Sequence, residues 1–278
     1  MLRVNLPISR LRQSRRALAI PTTFLILLVT MLGIVSITYY FSIEKVKAQS
    51  QTLKVVTARQ DMESLDEATM SVLWEPGSSR RVEFTNSGEE LTVQPLTNFM
   101  KITITGEGDL SDVIFNETIG QISCTLPFSV SALDTGTFLK GDSRTIIQQS
   151  GPGITQLRAS QGINCPELQL RYRPIVSYSS GEVEGNLPIN NLRVYIVTLN
   201  SSQAITMMGA LSLKVTCVTA QVTTKTYNLT QANESVFLTC EIGEENGQVS
   251  VPIQSTVNGA IVQVEIVQCR VEIDQVVR

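Results

Sequence analysis

Residues 17–43 read ALAIPTTFLILLVTMLGIVSITYYFSI, and this uncharged stretch decides the organisation of the chain. At 1.5 Å per residue, a helix over these residues is about 40 Å long, whereas the hydrocarbon core of a bilayer is about 30 Å thick. Tyr39, Tyr40 and Phe41 lie at one end of the stretch, where membrane helices carry an aromatic belt. The stretch therefore predicts one transmembrane helix, with its excess length taken up by tilt or by interfacial ends.

Two other interpretations of the segment stay open at this point. One is a buried core helix of a soluble protein, although such a helix is rarely apolar all round over this length. The other is a cleaved secretory signal, because Val46-Lys47-Ala48 has the small-residue pattern of a cleavage site. Against it, the apolar run exceeds the roughly 7–15 residues of an ordinary signal.

The flanking sequence indicates a cytoplasmic N-terminus and an extracellular C-terminal domain, on a single-pass protein of the cell membrane. Five arginines precede the segment, and four basic residues follow it closely, so the positive-inside rule favours this orientation only slightly. Four Asn-X-Ser/Thr sequons, the acceptor sites of N-glycosylation, all follow the segment. These glycosylation candidates are Asn116, Asn200, Asn228 and Asn233.

Residues 44–72 are predicted to continue the helix as a stalk, because residues 44–70 contain neither Gly nor Pro. A thin apolar stripe at helical spacings is formed by Ile43, Val46, Leu53, Val56, Met62 and Leu65. The stripe would pack against the chain's own head domain or against neighbouring helices, and an exposed linker helix is the alternative. Trp74, Pro76 and Gly77 mark the end of the stalk.

The head, residues 80–278, is predicted to be mainly β, as one or two antiparallel sandwiches. Thr85-Asn86-Ser87-Gly88, between Val82-Phe84 and Leu91-Val93, is typical of a hairpin. The other predicted strands are 99–105, 112–115, 121–126, 192–199, 211–224, 235–242, 248–254 and 260–276. The longest turn-rich stretch is 136–188, and a domain boundary within 136–190 is an alternative to a single domain.

The last predicted strand changes parity along its length. Val262, Val264 and Ile266 share one face, whereas Cys269 and Val271 share the other, which predicts a bulge or a strand passing between sheets. Three of the five cysteines align with apolar neighbours and are expected to face the core. Cys217, Cys240 and Cys269 are therefore disulfide candidates, with buried free thiols as the alternative.

The composition argues against an enzyme and against a cofactor. The chain has no histidine, which excludes Ser-His-Asp triads, Cys-His dyads and HExxH zinc sites. No CxxC pair occurs, so no metal site is predicted, and a net charge of −3 does not favour a nucleic-acid surface. Two acidic pairs, Glu89-Glu90 and Glu244-Glu245, are interpreted as solvated turn residues. The acidic cluster of Asp61, Glu63, Asp66 and Glu67 is interpreted as a solvated helix face.

The N-terminus resembles the class III signal of archaeal type IV prepilins and related pilin-like proteins. In that family a basic stretch and a small residue precede the hydrophobic segment, and Arg15-Arg16-Ala17-Leu18-Ala19 matches this order. The resemblance implies cleavage by a prepilin peptidase between Ala17 and Leu18, with Arg16 as the preceding basic residue. Residues 1–16 would then be a basic cytoplasmic tail or signal. The retained helix would join a filament core, with the β-rich head facing outward.

The sequence thus supports two functions of different classes. The first is a pilin-like structural subunit, a minor or accessory filament component, whose partners are the lipid bilayer and other pilin-like subunits bound through the N-terminal helix. The second is an uncleaved single-pass protein that displays a β-sandwich for binding or adhesion. A secreted enzyme using a Ser-Lys or carboxylate site is a weaker third, because no residue set forms such a site.

Overall fold

The computed structural model of the chain describes residues 9–85, 88–106, 110–127, 134–148, 153–162, 165–184, 187–200, 204–232 and 234–276, without the side chains of 9–21 and 182–184. One long apolar helix is followed by antiparallel sheets, so the predicted mainly β fold class is confirmed. The chain divides into two compact units, Met1–Thr52 and Leu53–Arg278. The first unit is helical wherever it is described.

The described elements are one helix and sixteen strands. Their bounds are α1 Ser9–Val72, β1 Ser79–Phe84, β2 Glu90–Gln94, β3 Phe99–Thr105, β4 Ser111–Thr118, β5 Gln121–Thr125, β6 Phe138–Lys140, β7 Ile147–Gln148, β8 Thr155–Gln161, β9 Pro166–Tyr172, β10 Ile175–Glu184, β11 Leu187–Leu199, β12 Ile205–Met208, β13 Leu211–Leu229, β14 Ser235–Ile242, β15 Glu245–Pro252 and β16 Ala260–Gln275.

The last part of α1 belongs to the core of the second unit. Its inward face carries side chains that are all but inaccessible to solvent, at the i, i+3 and i+4 spacings of one helix face. They are Ala58, Met62, Leu65, Ala68 and Val72. The helix ends where the sequence predicts, because Trp74 and Gly77 adopt left-handed backbone angles, with φ of 69° and 86°.

The strands form three sheets. Sheet A has the order β1-β13-β16-β11-β10-β7, sheet B the order β12-β2-β5-β9-β8-β6, and sheet C the order β15-β14-β3-β4. Sheets B and C are antiparallel, whereas in sheet A the pairs β11–β16 and β10–β7 are parallel. The predicted antiparallel pairing therefore holds for most of the head, and the long central strand β16 is the main exception.

Sheet A contributes to two separate hydrophobic cores. One core lies between α1, sheet B and the end of β16 that carries Cys269, Val271 and Ile273. The other lies between sheet C and the end of β16 that carries Val262 and Val264. Because β16 keeps an unbroken register with β11, these two residue sets point to opposite faces of the sheet.

The parity change in β16 therefore has a different cause from the two predicted ones. The strand has no bulge against β11 and does not move to another sheet. Its parity changes because the two ends of sheet A are covered on opposite faces. The bulge occurs in the neighbouring strand β13, between Cys217 and Thr219. It moves the odd-numbered residues of β13 from the first core to the second, where Leu229 is buried.

Two sequence predictions about the strands are wrong. The predicted hairpin does not form, because β1 pairs with β13 in sheet A while β2 pairs with β5 and β12 in sheet B. The stretch 136–188, predicted to be turn-rich, contains the whole of strands β6 to β10. Polar residues hide the alternation there, since Gln156, Arg171 and Arg173 are buried in the positions where apolar side chains are expected.

Candidate functional site

The first unit exposes an unbroken apolar surface. We call residues 22–43 the apolar segment; none of them is charged, and side-chain exposure among its large apolar and aromatic residues runs from 45% at Leu28 to 69% at Phe24, apart from a half-buried Ile43. By length and composition, α1 is long enough and apolar enough to cross a membrane. Exposed apolar surface on this scale marks a site for lipid or for another protein.

Four hydroxyls of the apolar segment are satisfied within its own helix. The hydroxyls of Thr30, Ser36, Thr38 and Ser42 each donate to a backbone carbonyl three or four residues earlier, at 2.8–2.9 Å. Such bonds leave no unsatisfied hydroxyl proton facing outward. The segment is therefore suited to surroundings that cannot hydrogen-bond.

The C-terminal end of the apolar segment is amphipathic. The rings of Tyr40 and Phe41 meet edge to face with centroids 6.1 Å apart. The hydroxyl of Tyr40 donates to Oε1 of Glu44 at 2.9 Å. A ring with an apolar body and a hydrogen-bonded polar tip is the kind of side chain that membrane interfaces favour.

Large apolar side chains stay exposed beyond the first charged residues that follow the segment. Residues 44–57, which we call the outer stalk, carry Val46, Leu53 and Val56 with 64%, 66% and 53% of their surface exposed. Of the predicted apolar stripe, Met62 and Leu65 are fully buried in the head core. The stripe thus divides between two environments, and Val46, Leu53 and Val56 in its outer part are more than half exposed.

Two buried carboxylates hold the end of α1 in the head. Asp66 accepts from Nζ of Lys140 at 2.6 Å and from Oγ1 of Thr155 at 2.7 Å. Asp61 accepts from the backbone N–H of Thr85 at 2.8 Å. Burial, with the nearby charge of Glu89, raises the pKa of Asp61 above its ordinary value.

The interpretation of the acidic residues as solvated is wrong at four positions. Asp61, Asp66 and Glu89 are buried, because α1 presents this face to the head rather than to water. Glu245 is ion-paired with Arg171 and, at 2.7 Å, with Arg158, which joins sheet C to sheet B. Desolvation opposes ionisation of Glu245, but the hydrogen bonds and charges of the two arginines outweigh it and lower the pKa.

The signal-processing residues lie in the helix but outside the described side chains. The backbone of Arg16, Ala17 and Leu18 is part of α1. Of the glycosylation candidates, Asn116 on β4 and Asn228 on β13 are exposed, and Asn200, just after β11, is partly buried. Asn233 lies outside the described residues.

The disulfide candidates do not all come together. Cys217 and Cys269 are buried in the first core with their sulfur atoms 3.3 Å apart, whereas Cys240 is buried in the second core. All five cysteines are buried free thiols in this structure. The alternation of residues in the sequence predicts that the three candidates face inward. Which of them meet depends on the bulge in β13, and no local sequence pattern predicts that bulge.

A polar cleft crosses the exposed face of sheet A. It has a volume of about 510 Å³ and lies across strands β10, β11 and β16. Tyr178 in its lining is 48% exposed, and Nε of Arg193 donates to Glu265 at 2.6 Å beside it. An aromatic ring flanked by charged and amide groups is a surface on which a polar ligand can bind.

In the part of the chain that the structure describes, no three Cys, Asp or Glu side chains are grouped to hold a metal ion. Comparison of the chain with models of known protein families, with curated proteins and with solved structures gives no match.

Proposed function

We propose that the chain is a pilin-like, membrane-anchored structural subunit of the archaeal cell surface, a minor or accessory component of an extracellular filament. In this proposal the apolar segment holds the precursor in the cell membrane, with the N-terminus in the cytoplasm and the β head outside. After removal of the residues that precede Leu18, the same helix packs with the helices of other subunits.

The observation that carries the proposal is the distribution of exposed apolar surface along α1. A simple anchor needs about 20 apolar residues, which the apolar segment already provides. The outer stalk adds Val46, Leu53 and Val56, each of which is more than half exposed. Neighbouring helices of the same kind would cover both stretches.

The N-terminal motif supports the same function independently. Arg15-Arg16-Ala17-Leu18 resembles the processing site of archaeal prepilins, and the hydrophobic helix after it would be retained. A head of about 200 residues is large for a pilin, which favours an accessory role over that of the main subunit.

The mass of the native N-terminus tests the proposal. Protein from membranes and from filaments sheared off intact cells is analysed by mass spectrometry without prior proteolysis. We expect a mature chain that begins at Leu18 in the sheared fraction. A chain that begins at Met1 in both fractions would refute the proposal.

A matched pair of variants connects processing to assembly. Ala17→Phe replaces the small residue at the proposed site, so the precursor should accumulate in the membrane and disappear from the sheared fraction. Ile26→Phe makes a similar enlargement on an exposed position of the apolar segment, away from the site. Its processing should match that of the wild type.

The alternative function is a stand-alone binding or adhesion module on an uncleaved anchor. The polar cleft beside Tyr178 favours it, because a ligand site on an exposed sheet needs no assembly. This alternative predicts a full-length monomer that never enters sheared material and whose surface binding is lost in Tyr178→Ala.

A further inference from the structure

Cys217 and Cys269 lie side by side at the point where the covered face of sheet A changes. Both side chains have no solvent exposure, and their Sγ atoms are 3.3 Å apart. They come from β13 and β16, which are paired antiparallel along most of their lengths. A disulfide needs sulfur atoms about 2.0 Å apart, and these two sulfur atoms are already close to that distance.

The bulge in β13 explains why these two residues meet. Cys217 is directly opposite Val271, and after the bulge Ala220 is opposite Cys269. Residues placed diagonally across a regular ladder are farther apart than directly opposed ones. The extra residue in β13 bends the strand locally, and both thiols then point into the first core.

We propose that Cys217 and Cys269 form a disulfide in the mature protein, and that Cys124, Cys165 and Cys240 stay reduced. The inference rests on the proposed extracellular position of the head, because disulfides persist in oxidising compartments. The bond would fix β13 to β16 at the bulge and close a loop between residues 52 positions apart.

The oxidant is an organic disulfide, carried by a thiol oxidoreductase or by a small molecule. The thiolate of one cysteine attacks a sulfur of this disulfide and releases one thiol. The second cysteine then displaces the other sulfur, so the Cys217–Cys269 bond forms. Two protons and two electrons leave the chain, and the organic disulfide is reduced to two thiols.

The timing of this reaction follows from burial. Desolvation raises the pKa of Cys269 to about 12, so the thiolate is scarce once the head has folded. The same effect raises the pKa of Cys240 to about 12, and its sulfur lies in the other core. Oxidation of the pair is therefore expected during folding outside the membrane, before β16 closes the core.

Differential alkylation of the full chain tests the pairing. Protein from native membranes is denatured in N-ethylmaleimide, then reduced and treated with iodoacetamide, and its peptides are analysed by mass spectrometry. We expect iodoacetamide adducts on Cys217 and Cys269 and N-ethylmaleimide on the other three cysteines. N-ethylmaleimide on all five, or a bridge that involves another cysteine, would overturn the inference.

The same sample separates this inference from the proposed function. A bridge in a chain that begins at Met1, both in the membranes and in the sheared fraction, would support the inference while refuting the pilin-like role. A chain that begins at Leu18 with five free thiols would do the reverse.

Thermal unfolding of the wild-type protein in detergent provides a second readout. It does not depend on variants at buried positions, which can fail to fold. The midpoint of the wild-type protein should fall by about 10 °C after its bridge is reduced in denaturant and the protein is refolded under reducing conditions. The double variant Cys217→Ala/Cys269→Ala should not respond to reductant. Cys124→Ala, at a buried cysteine outside the pair, should respond as the wild type does. A wild-type midpoint that does not depend on reductant would contradict the bridge.

Discussion

The outer and inner parts of α1 contain similar apolar residues but lie in different surroundings. Residues 22–57 expose most of their large apolar side chains, whereas the inward face of residues 58–72 is completely buried. In the apolar segment, the hydroxyls of Thr30, Ser36, Thr38 and Ser42 bond to the backbone of their own helix. In the inner part, Asp61 and Asp66 bond to groups more than 20 residues away in the chain.

The carboxylates distinguish the two parts and the hydroxyls do not, because Ser64, Thr69 and Ser71 of the inner part also donate to backbone carbonyls of their own helix. A helix that bonds only to itself can pass into lipid or into a bundle of like helices without an unsatisfied donor. A helix whose carboxylates are held by distant groups is fixed to one fold, because removing either partner leaves a buried polar group unsatisfied.

The largest expected effect comes from one substitution made in both parts of α1. Leu65→Asp buries an unpaired charge in the first core and should cost more than about 4 kcal/mol of unfolding free energy. Leu53→Asp places the same charge on a residue that is 66% exposed. The head of this variant should keep its melting temperature, while its entry into sheared filaments is lost. Near-ultraviolet circular dichroism of the full chain in detergent measures the first effect. Equal destabilisation by both variants would contradict the comparison.

A smaller effect is expected at the buried anchor of the inner part. Asp66→Ala leaves Thr155 without its acceptor and Lys140 without its ion pair, so we expect a loss of about 1–3 kcal/mol. Glu67→Ala, at the next and exposed position, should change stability by less than about 0.5 kcal/mol. Urea unfolding of the two variants measures the difference. If both variants unfold at the same urea concentration, Asp66 is not an anchor.

The smallest effects concern pH. The pKa of Asp61 is raised in the folded state, so its contribution to stability is present below the unfolded pKa, near 3.8, and is lost as the pH rises through the folded pKa. Asp61→Asn keeps an acceptor for Thr85 without the charge. It should therefore be slightly more stable than the wild type at pH 7 and lose this advantage in acid.

Glu245 should behave in the opposite way. Its pKa is lowered in the folded state, so its contribution is present above the unfolded pKa, near 4.5, and is lost as the pH falls through the folded pKa. Glu245→Gln should therefore be destabilising at pH 7 and nearly neutral at pH 3. Urea midpoints of both variants between pH 3 and pH 8 test the pair, and differences of the same sign would show that one assignment is wrong.

Much of the fold was predictable where residue patterns are local. The apolar segment, the end of α1 near Trp74 and the strands β3 and β14 follow directly from runs of residues and their periodicity. The absence of the predicted hairpin at 82–93 could not be foreseen, because a turn signal predicts a chain reversal but not the sheet that each strand joins. Strands β8 and β9 were missed because Gln156 and Arg171 are buried through hydrogen bonds that long-range packing supplies.

The candidate site was predictable only in part for the same reason. Exposure of the apolar segment follows from its composition, and the inward direction of Cys217 and Cys269 follows from strand parity. Burial of Asp61 and Asp66 could not be predicted, since carboxylates spaced along a helix are usually solvated. Their partners Thr85, Lys140 and Thr155 are distant in sequence.

Photocrosslinking in living cells distinguishes the outer part of α1, which we propose contacts other subunits, from the inner part, which packs on its own head. A photoreactive phenylalanine derivative is placed at position 53 or at position 67, both exposed and both on α1. We expect adducts with other pilin-like subunits from position 53, seen as bands heavier than the monomer in the sheared fraction, and none from position 67. Only monomer from position 53, or equal amounts of adduct from both positions, would show that the outer part of α1 makes no such contacts.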